Sequence, residues 1–173
     1  MKTYKALLMY VSMALLCQGC GIYSFTGVAI TAETISIPNF YNDADGGPPD
    51  MAQIFTNKLL DYYQQNTNLI RVEEDGELQL EGTVTNYRLT PVAPSAAQNN
   101  DQIDAAALTR LTITVSVSYV NTTNADFDFE NKTFSFFEDF DNNQNLTSIE
   151  AELIDRIFDQ VILDIFNATV ANW

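Results

Sequence analysis

The sequence predicts an α+β domain in which two helices pack on one face of a mostly antiparallel sheet of four to five strands. Three observations carry that prediction. Leu111, Ile113, Val115, Val117 and Tyr119 alternate with Thr112, Thr114, Ser116 and Ser118, so a strand through them has one apolar and one hydroxyl face. Two segments, Met51 to Asn66 and Thr147 to about Thr169, instead repeat their apolar residues at helical spacing. Strand, helix, a run of strands and a last helix follow one another, and such segregation favours helices gathered on one side of a sheet.

Taken in order, Thr34-Ile35-Ser36-Ile37 alternates and stops at Pro38, which predicts a first strand with Ile35 and Ile37 inward. Gly46-Gly47-Pro48-Pro49 breaks the chain between Asn42 and Asp50. Asp50 is the expected N-cap of a helix carrying Met51, Ile54, Phe55, Leu59, Tyr62 and Tyr63, which ends in Asn66-Thr67-Asn68. Leu69 to Val72 and Leu78 to Leu89 are expected as a hairpin turned at Asp75-Gly76. Pro91 to Ala107 has few bulky residues and is expected as a long loop, disordered unless a partner holds it. After the strand Leu111 to Tyr119 comes a turn at Asn121 to Asn124. Asp126 to Phe137 then alternates Phe127, Phe129, Phe134 and Phe136 with polar residues, as one strand or two short ones. The last helix starts at a capping box, Thr147-Ser148-Ile149-Glu150. Placed at about 100° per residue, Leu153 to Phe166 cover an apolar arc of roughly 220°, wider than the roughly 100° stripe that one sheet needs. Either the first helix covers the excess or Phe158, Ile162 and Phe166 meet another protein.

The amino terminus carries its own signals. Lys2 and Lys5 precede an apolar run from Ala6 to Leu16, broken only by Ser12 and too short to span a bilayer. Gly19 then stands immediately before Cys20, which is what lipoprotein processing requires. Residues 1–19 are therefore expected as a signal peptide, 20–33 as a lipidated tether and 34–173 as one domain. Beyond Cys20 there is no other cysteine, so no disulfide forms, and a lipid on Cys20 accounts for the leftover thiol. Two or three acyl chains such as palmitate would anchor it stably to a membrane. A plain secretory signal with two incidental cysteines is the alternative.

Charge and composition narrow the chemistry. The 173-residue chain has 8 basic and 23 acidic side chains and no histidine. Removal of residues 1–19 takes Lys2 and Lys5 with it and leaves six basic against 23 acidic groups, a net charge of −17. A field of that sign repels nucleic-acid backbones. Without histidine there is no Ser-His-Asp or Cys-His system and no histidine-ligated zinc. Asp139, Asp141, Asn143, Asn145 and Glu150 match positions 1, 3, 5, 7 and 12 of a calcium loop, but Gln144 stands where the loop needs glycine and a strand precedes it where a helix should. The other acidic cluster, Asn42, Asp43, Asp45 and Asp50, lacks a glutamate at the twelfth position. A carboxylate-based hydrolase would need a cleft with two carboxyls at fixed separation, and no such signature is present. No residue is expected to be catalytic and no cofactor or metal is expected. Arg88 and Arg110, flanking the long loop, are candidates either to hold a phosphate or to neutralise a neighbouring carboxylate.

Several stretches in order, Cys20-Gly21-Ile22-Tyr23-Ser24-Phe25-Thr26-Gly27, Thr34-Ile35-Ser36-Ile37-Pro38-Asn39-Phe40, Gln79-Leu80-Glu81-Gly82-Thr83-Val84 and Phe134-Ser135-Phe136-Phe137-Glu138-Asp139, are similar to the lipopolysaccharide-assembly lipoprotein family LptE in its Bacteroidota form. The resemblance covers nearly all of the chain after the signal. It implies a two-helix, four-stranded α+β domain that is not an enzyme. It also implies residence on the periplasmic side of the outer membrane, anchored by lipid on Cys20, inside the large β-barrel of the lipopolysaccharide export machine. There such a protein acts as plug and assembly factor. Carried onto this chain, it makes Thr112, Thr114, Ser116, Ser118, Phe158, Ile162 and Phe166 the candidate partner interface. Arg110, with Arg88, becomes the candidate lipopolysaccharide contact. The alternative from another class is an envelope lipoprotein that activates a cell-wall synthase or builds a secretion complex, since such chains also begin with an Ile-Ser-Ile-Pro-Asn-Phe-like strand.

Overall fold

A computed structural model describes residues 32–92 and 108–170. The expected signal peptide, Cys20, most of the tether and most of the loop to Ala107 lie outside the described residues. The elements run β1 Thr34–Ser36, β2 Tyr41–Asn42, α1 Met51–Asn66, β3 Ile70–Val72, β4 Leu78–Val92, β5 Leu108–Asn121, a 3-10 turn Ala125–Phe127, β6 Phe129–Asp141 and α2 Leu146–Thr169. The α+β class and the two helices on one face are as the sequence predicts, but the sheet has six strands and is mixed.

Its order is β3-β1-β4-β5-β6, with β2 also on β4. The three long strands form the antiparallel meander, and β1 and β2 run parallel to β4. The expected hairpin between β3 and β4 is a correction: β1 lies between them, parallel to both, with Ile35 opposite Arg71 on one side and Leu78 on the other. The reason is the α1 crossover, which returns the chain in the direction of β1 and so allows parallel pairing. Asp75, at φ 54°, does turn the chain, but across β1 rather than back onto β3. Gly76 makes the passage feasible, because a Cβ there would sit 2.5 Å from the Ser36 backbone nitrogen. The crossing is fastened by the Glu77 N–H, which donates to Thr34 Oγ1 at 3.0 Å, and by Gln79 Nε2, which donates to the Gly76 carbonyl at 3.1 Å.

The strands also outrun their expected ends. β4 continues through Pro91 and Val92, which the sequence placed in the loop, and pairs them with Thr109 and Leu108. A proline can sit there because the segment lies at the sheet's far end. Two bulges kink the meander: Thr85 is the extra residue between Val84 and Asn86, and the β6 register slips between Phe129 and Lys132, where Asn131 has φ 50°. Neither alters the hydrophobic alternation enough to be read from sequence.

The core is a layer between the sheet and both helices. β5 contributes Leu111, Ile113, Val115, Val117 and Tyr119, all buried. α1 contributes Met51, Phe55, Leu59 and Tyr63, whereas Ile54 is exposed. Phe40 seats against Phe55, ring centroids 5.1 Å apart, over Gly82, where a Cβ would come within 2.5 Å of the Phe40 ring. Thr56 fixes this corner by accepting the Phe40 N–H at 3.0 Å and donating to the Ala52 carbonyl at 2.8 Å.

The wide arc of α2 resolves in favour of the domain's own interior. Leu153, Ile157, Phe158, Val161, Ile162 and Ile165 are buried, with Phe158 edge-on to Phe55 at 5.0 Å. Phe166 is half-buried between Tyr62 and Tyr63, at 5.1 and 5.2 Å. The sheet covers part of the arc and α1 the remainder. Tyr63 closes the far end through a 2.5 Å hydrogen bond with the Thr169 hydroxyl, and Lys58 bridges Asp155 and Asp159 at the surface. Helix starts differ in detail from expectation. Asp50 holds the N-cap position of α1 without a side-chain bond, and α2 is capped by Asn145, which accepts the Thr147 N–H at 3.0 Å. The expected box does not form because the helix starts earlier and puts Thr147 inside its first turn, and Glu150 instead accepts from the Tyr87 hydroxyl at 2.5 Å.

Candidate functional site

With both helices on one side, the opposite face of the β4-β5-β6 meander has no layer over it among the described residues. Alternation puts Thr112, Thr114, Ser116 and Ser118 on that face, all half-buried by their neighbours in the sheet. Their partners extend the hydroxyl row across the strands: Thr83, Ser116 and Thr133 lie side by side, as do Asn86, Thr114 and Ser135. Part of this polarity is internally spent. Thr114 and Ser135 hydroxyls are 3.0 Å apart, Ser135 Oγ donates to the Ile113 carbonyl at 3.2 Å, and Ser118 Oγ accepts the Asn131 N–H at 3.1 Å. The hydroxyls of Thr112 and Ser116 have no hydrogen-bond partner among the described residues.

The far end of the same face carries the two arginines. Arg88, Thr112 and Phe137 form one cross-strand row, and Thr90, Arg110 and Asp139 the next. Arg110 makes a bidentate pair with Asp139, Nε to Oδ1 at 2.7 Å and Nη2 to Oδ2 at 2.9 Å, and its guanidinium lies 3.6 Å above the Phe137 ring. The hydrogen bond and charge of Arg110 hold the Asp139 carboxyl below its usual range, and Asp139 in turn raises Arg110. Of the two roles open to Arg110, the structure fills that of neutralising a carboxylate. Arg88 has no such partner among the described residues, and Phe137, on the far side of Thr112 in the same row, is 42% exposed.

Phe158 and Ile162 do not join this face. They point the other way, into the core, and are unavailable to a partner while the domain is folded. The acidic turn also differs from a calcium loop. Asp139 is held by Arg110, Asp141 Oδ1 accepts the Asn143 N–H at 2.8 Å, and Asn145 and Glu150 serve α2 and Tyr87. No cluster of three or more potential ligands capable of holding a metal occurs among the described residues. Sequence reasoning missed the Glu150–Tyr87 bond. The Thr85 bulge turns Tyr87 to the helix side, and nothing local in the sequence announces it.

The arrangement defines a two-layer α+β domain, helices on one side and a hydroxyl-lined sheet face on the other. The chain belongs to the lipopolysaccharide-assembly family LptE, which matches residues 32–169. Its general role is therefore in lipopolysaccharide assembly in the cell envelope. No curated protein sequence matches the chain. Among solved structures, a Helicobacter pylori protein described as a homolog of a neuraminyllactose-binding hemagglutinin aligns at 8% identity and TM-score 0.51, over 78% of this chain and 81% of that one. A minor lipoprotein from Acinetobacter baumannii aligns at 12% identity and TM-score 0.48, over 82% and 92%. The PelC dodecamer subunit from Paraburkholderia phytofirmans aligns at 10% identity and TM-score 0.41, over 82% and 90%. At such identities the first likeness is one of fold. No helix among the described residues is long and apolar enough to cross a membrane.

Proposed function

We propose that this protein is an outer-membrane lipoprotein, lipidated on Cys20 and held on the periplasmic side, that plugs and helps assemble the β-barrel of the lipopolysaccharide export machine. One observation carries the reading: the domain satisfies its own apolar demand on the helix side and, among the described residues, leaves a broad hydroxyl-lined sheet face without a covering layer. A polar face of that kind suits the polar lumen of a large barrel, where side chains and trapped water meet it without a dry apolar seam. The partner surface is the row Thr112, Thr114, Ser116 and Ser118 with its cross-strand neighbours. Any direct lipopolysaccharide contact falls to Arg88 and the exposed Phe137, since Arg110 is occupied by Asp139. The protein performs no catalytic step in this role and uses no cofactor.

Co-purification from native outer membrane tests the proposal. A large barrel should accompany the wild-type chain, and Cys20→Ser should leave unprocessed or soluble protein. Recovery of a cell-wall synthase or a secretion complex in place of a barrel would overturn the reading, and a free thiol on Cys20 by mass spectrometry would remove the anchor.

A further inference from the structure

At the opposite end of the bare face from Arg88, where the chain crosses β1, the surface sinks into a groove of about 290 Å³. Glu73, Glu74 and Asp75 form one wall, Glu81 and Ser118 another, and Ser36 lies in its floor. These carboxylates differ from those that the fold neutralises. Asp139, Asp155, Asp159, Glu138 and Glu152 each face a cation. The four around the groove have neither an ion pair nor a side-chain hydrogen bond among the described residues.

Ser36 is the independent observation. It is only 5% exposed, on the sheet side opposite Ile35, and its hydroxyl has no hydrogen-bond partner among the described residues. Yet no fully enclosed side-chain oxygen or nitrogen among the described residues lacks one. The Ser36 hydroxyl is therefore not sealed off, and Ser36 lines the groove, where its oxygen is open to a hydrogen-bonding group. A buried, unspent acceptor ringed by unneutralised carboxylates calls for a positively charged hydrogen-bond donor. The carboxylates do not converge closely enough to hold a metal ion. The volume is at the small end for a ligand pocket and suits a single long side chain. A guanidinium meets these terms better than a point charge, since its five N–H groups fan out to acceptors spaced apart.

We infer that this groove receives an arginine side chain from a partner protein seated on the bare face of the sheet. The inference rests on the reading that a protein covers that face, and it names the chemistry of one contact. Ser36 Oγ and the carboxylates of Glu73 and Glu81 accept from the guanidinium. Gly76, pressed onto β1, keeps the floor from shifting.

The test uses the isotope-labelled full chain in a non-ionic detergent, titrated with Gly-Arg-Gly amide, with its uncharged citrulline counterpart and, separately, with calcium chloride. The arginine peptide should shift the amide resonances of residues 73–75, 79, 81 and 118, while the citrulline peptide should not. Combining Glu73→Gln with Glu81→Gln should weaken binding by about fivefold or more, the scale of two partly exposed ion pairs, with an unchanged circular dichroism spectrum. Ser36→Ala should weaken it by about twofold to fivefold. Three results overturn the inference: equal response to citrulline, equal shifts across the Asp155 and Asp159 surface, which would show net charge alone, or calcium that binds here and excludes the peptide. The titration does not depend on any barrel. If wild type recovers a barrel but the groove ignores the peptide, only this inference falls. If the groove binds arginine and no barrel is recovered, only the plug reading falls.

Discussion

The two faces of β5 use the same nine residues, Leu111 to Tyr119, for opposite purposes. On one side every residue is buried and touches side chains from both helices or from the neighbouring strands. On the other, four hydroxyl residues stay half-buried with no layer above them among the described residues. The free energy that holds the domain is thus gathered on the helix side, where removal of apolar area from water contributes about 25 cal/mol per Å². The hydroxyl side contributes little to folding and is open to selection for contact. A residue's place on one face or the other therefore predicts which measurement it will move.

The sharpest break of that contrast is a charge on the helix side. Phe158→Asp or Ile162→Asp places an unpaired carboxylate in the core, a loss well beyond about 4 kcal/mol and comparable to the whole stability of a small domain. Neither variant should give a cooperative thermal melt. A normal melt from both would mean that this part of α2 is not packed inside.

Tyr63→Phe is gentler. It removes the bond to Thr169 but leaves the Thr169 hydroxyl its bonds to the Ile165 and Phe166 carbonyls, so about 1 kcal/mol should be lost in urea titration at neutral pH. Burial pushes the Tyr63 hydroxyl far above its usual value and that of Tyr119 up to about 12, with Asp128 adding to the latter. The neutral forms are favoured by folding, so the associated stability is complete below pH 10 and declines as pH rises past it toward the folded values. Wild type should lose stability in that alkaline range, and Tyr63→Phe should lose less.

At the edge of the helix layer, Asn145→Ala deletes the cap of α2 and should cost about 1 kcal/mol by the same titration. Thr147→Ala should cost less, which separates the observed cap from the one the sequence suggests. The smallest effect on stability belongs to the other face. Thr114→Lys and Ser116→Lys should stay within about 0.5 kcal/mol of wild type but sharply reduce recovery of the partner barrel from outer membrane. If they unfold the domain, or recover barrel at wild-type yield, the division of labour between the faces does not hold.

Much of this was legible because it depends on local periodicity. Alternation in β5 separates its faces without any knowledge of neighbours, and the helical spacing of α1 and α2 gives both elements. The width of the α2 arc was legible too, but not its cause, since periodicity cannot say whether α1 or a partner covers Phe158. Long-range pairing was the main failure. Asp75-Gly76 has the composition of a hairpin turn, and only the arrival of β1 between β3 and β4 makes it a crossing. The candidate surface shows the same division. Its hydroxyls are read off β5 directly, while the neutralisation of Arg110 depends on Asp139 arriving opposite it on β6. The groove at Ser36 gathers residues from β1, β4, β5 and the crossing, so no single segment advertises it.

The insertion of β1 also sets how the domain opens. Among the described residues β3 has no hydrogen-bonded strand other than β1, so the three residues Thr34–Ser36 hold that edge of the sheet in place. Release of β1 detaches β3 in the same event and uncovers one edge of β4. Because its partners lie about forty residues along the chain, β1 closes the longest loops in that part of the fold and is the slowest seam to form. Amide hydrogens of Ile70 to Val72 should then exchange with solvent together with those of β1, as one small cooperative unit, ahead of β5.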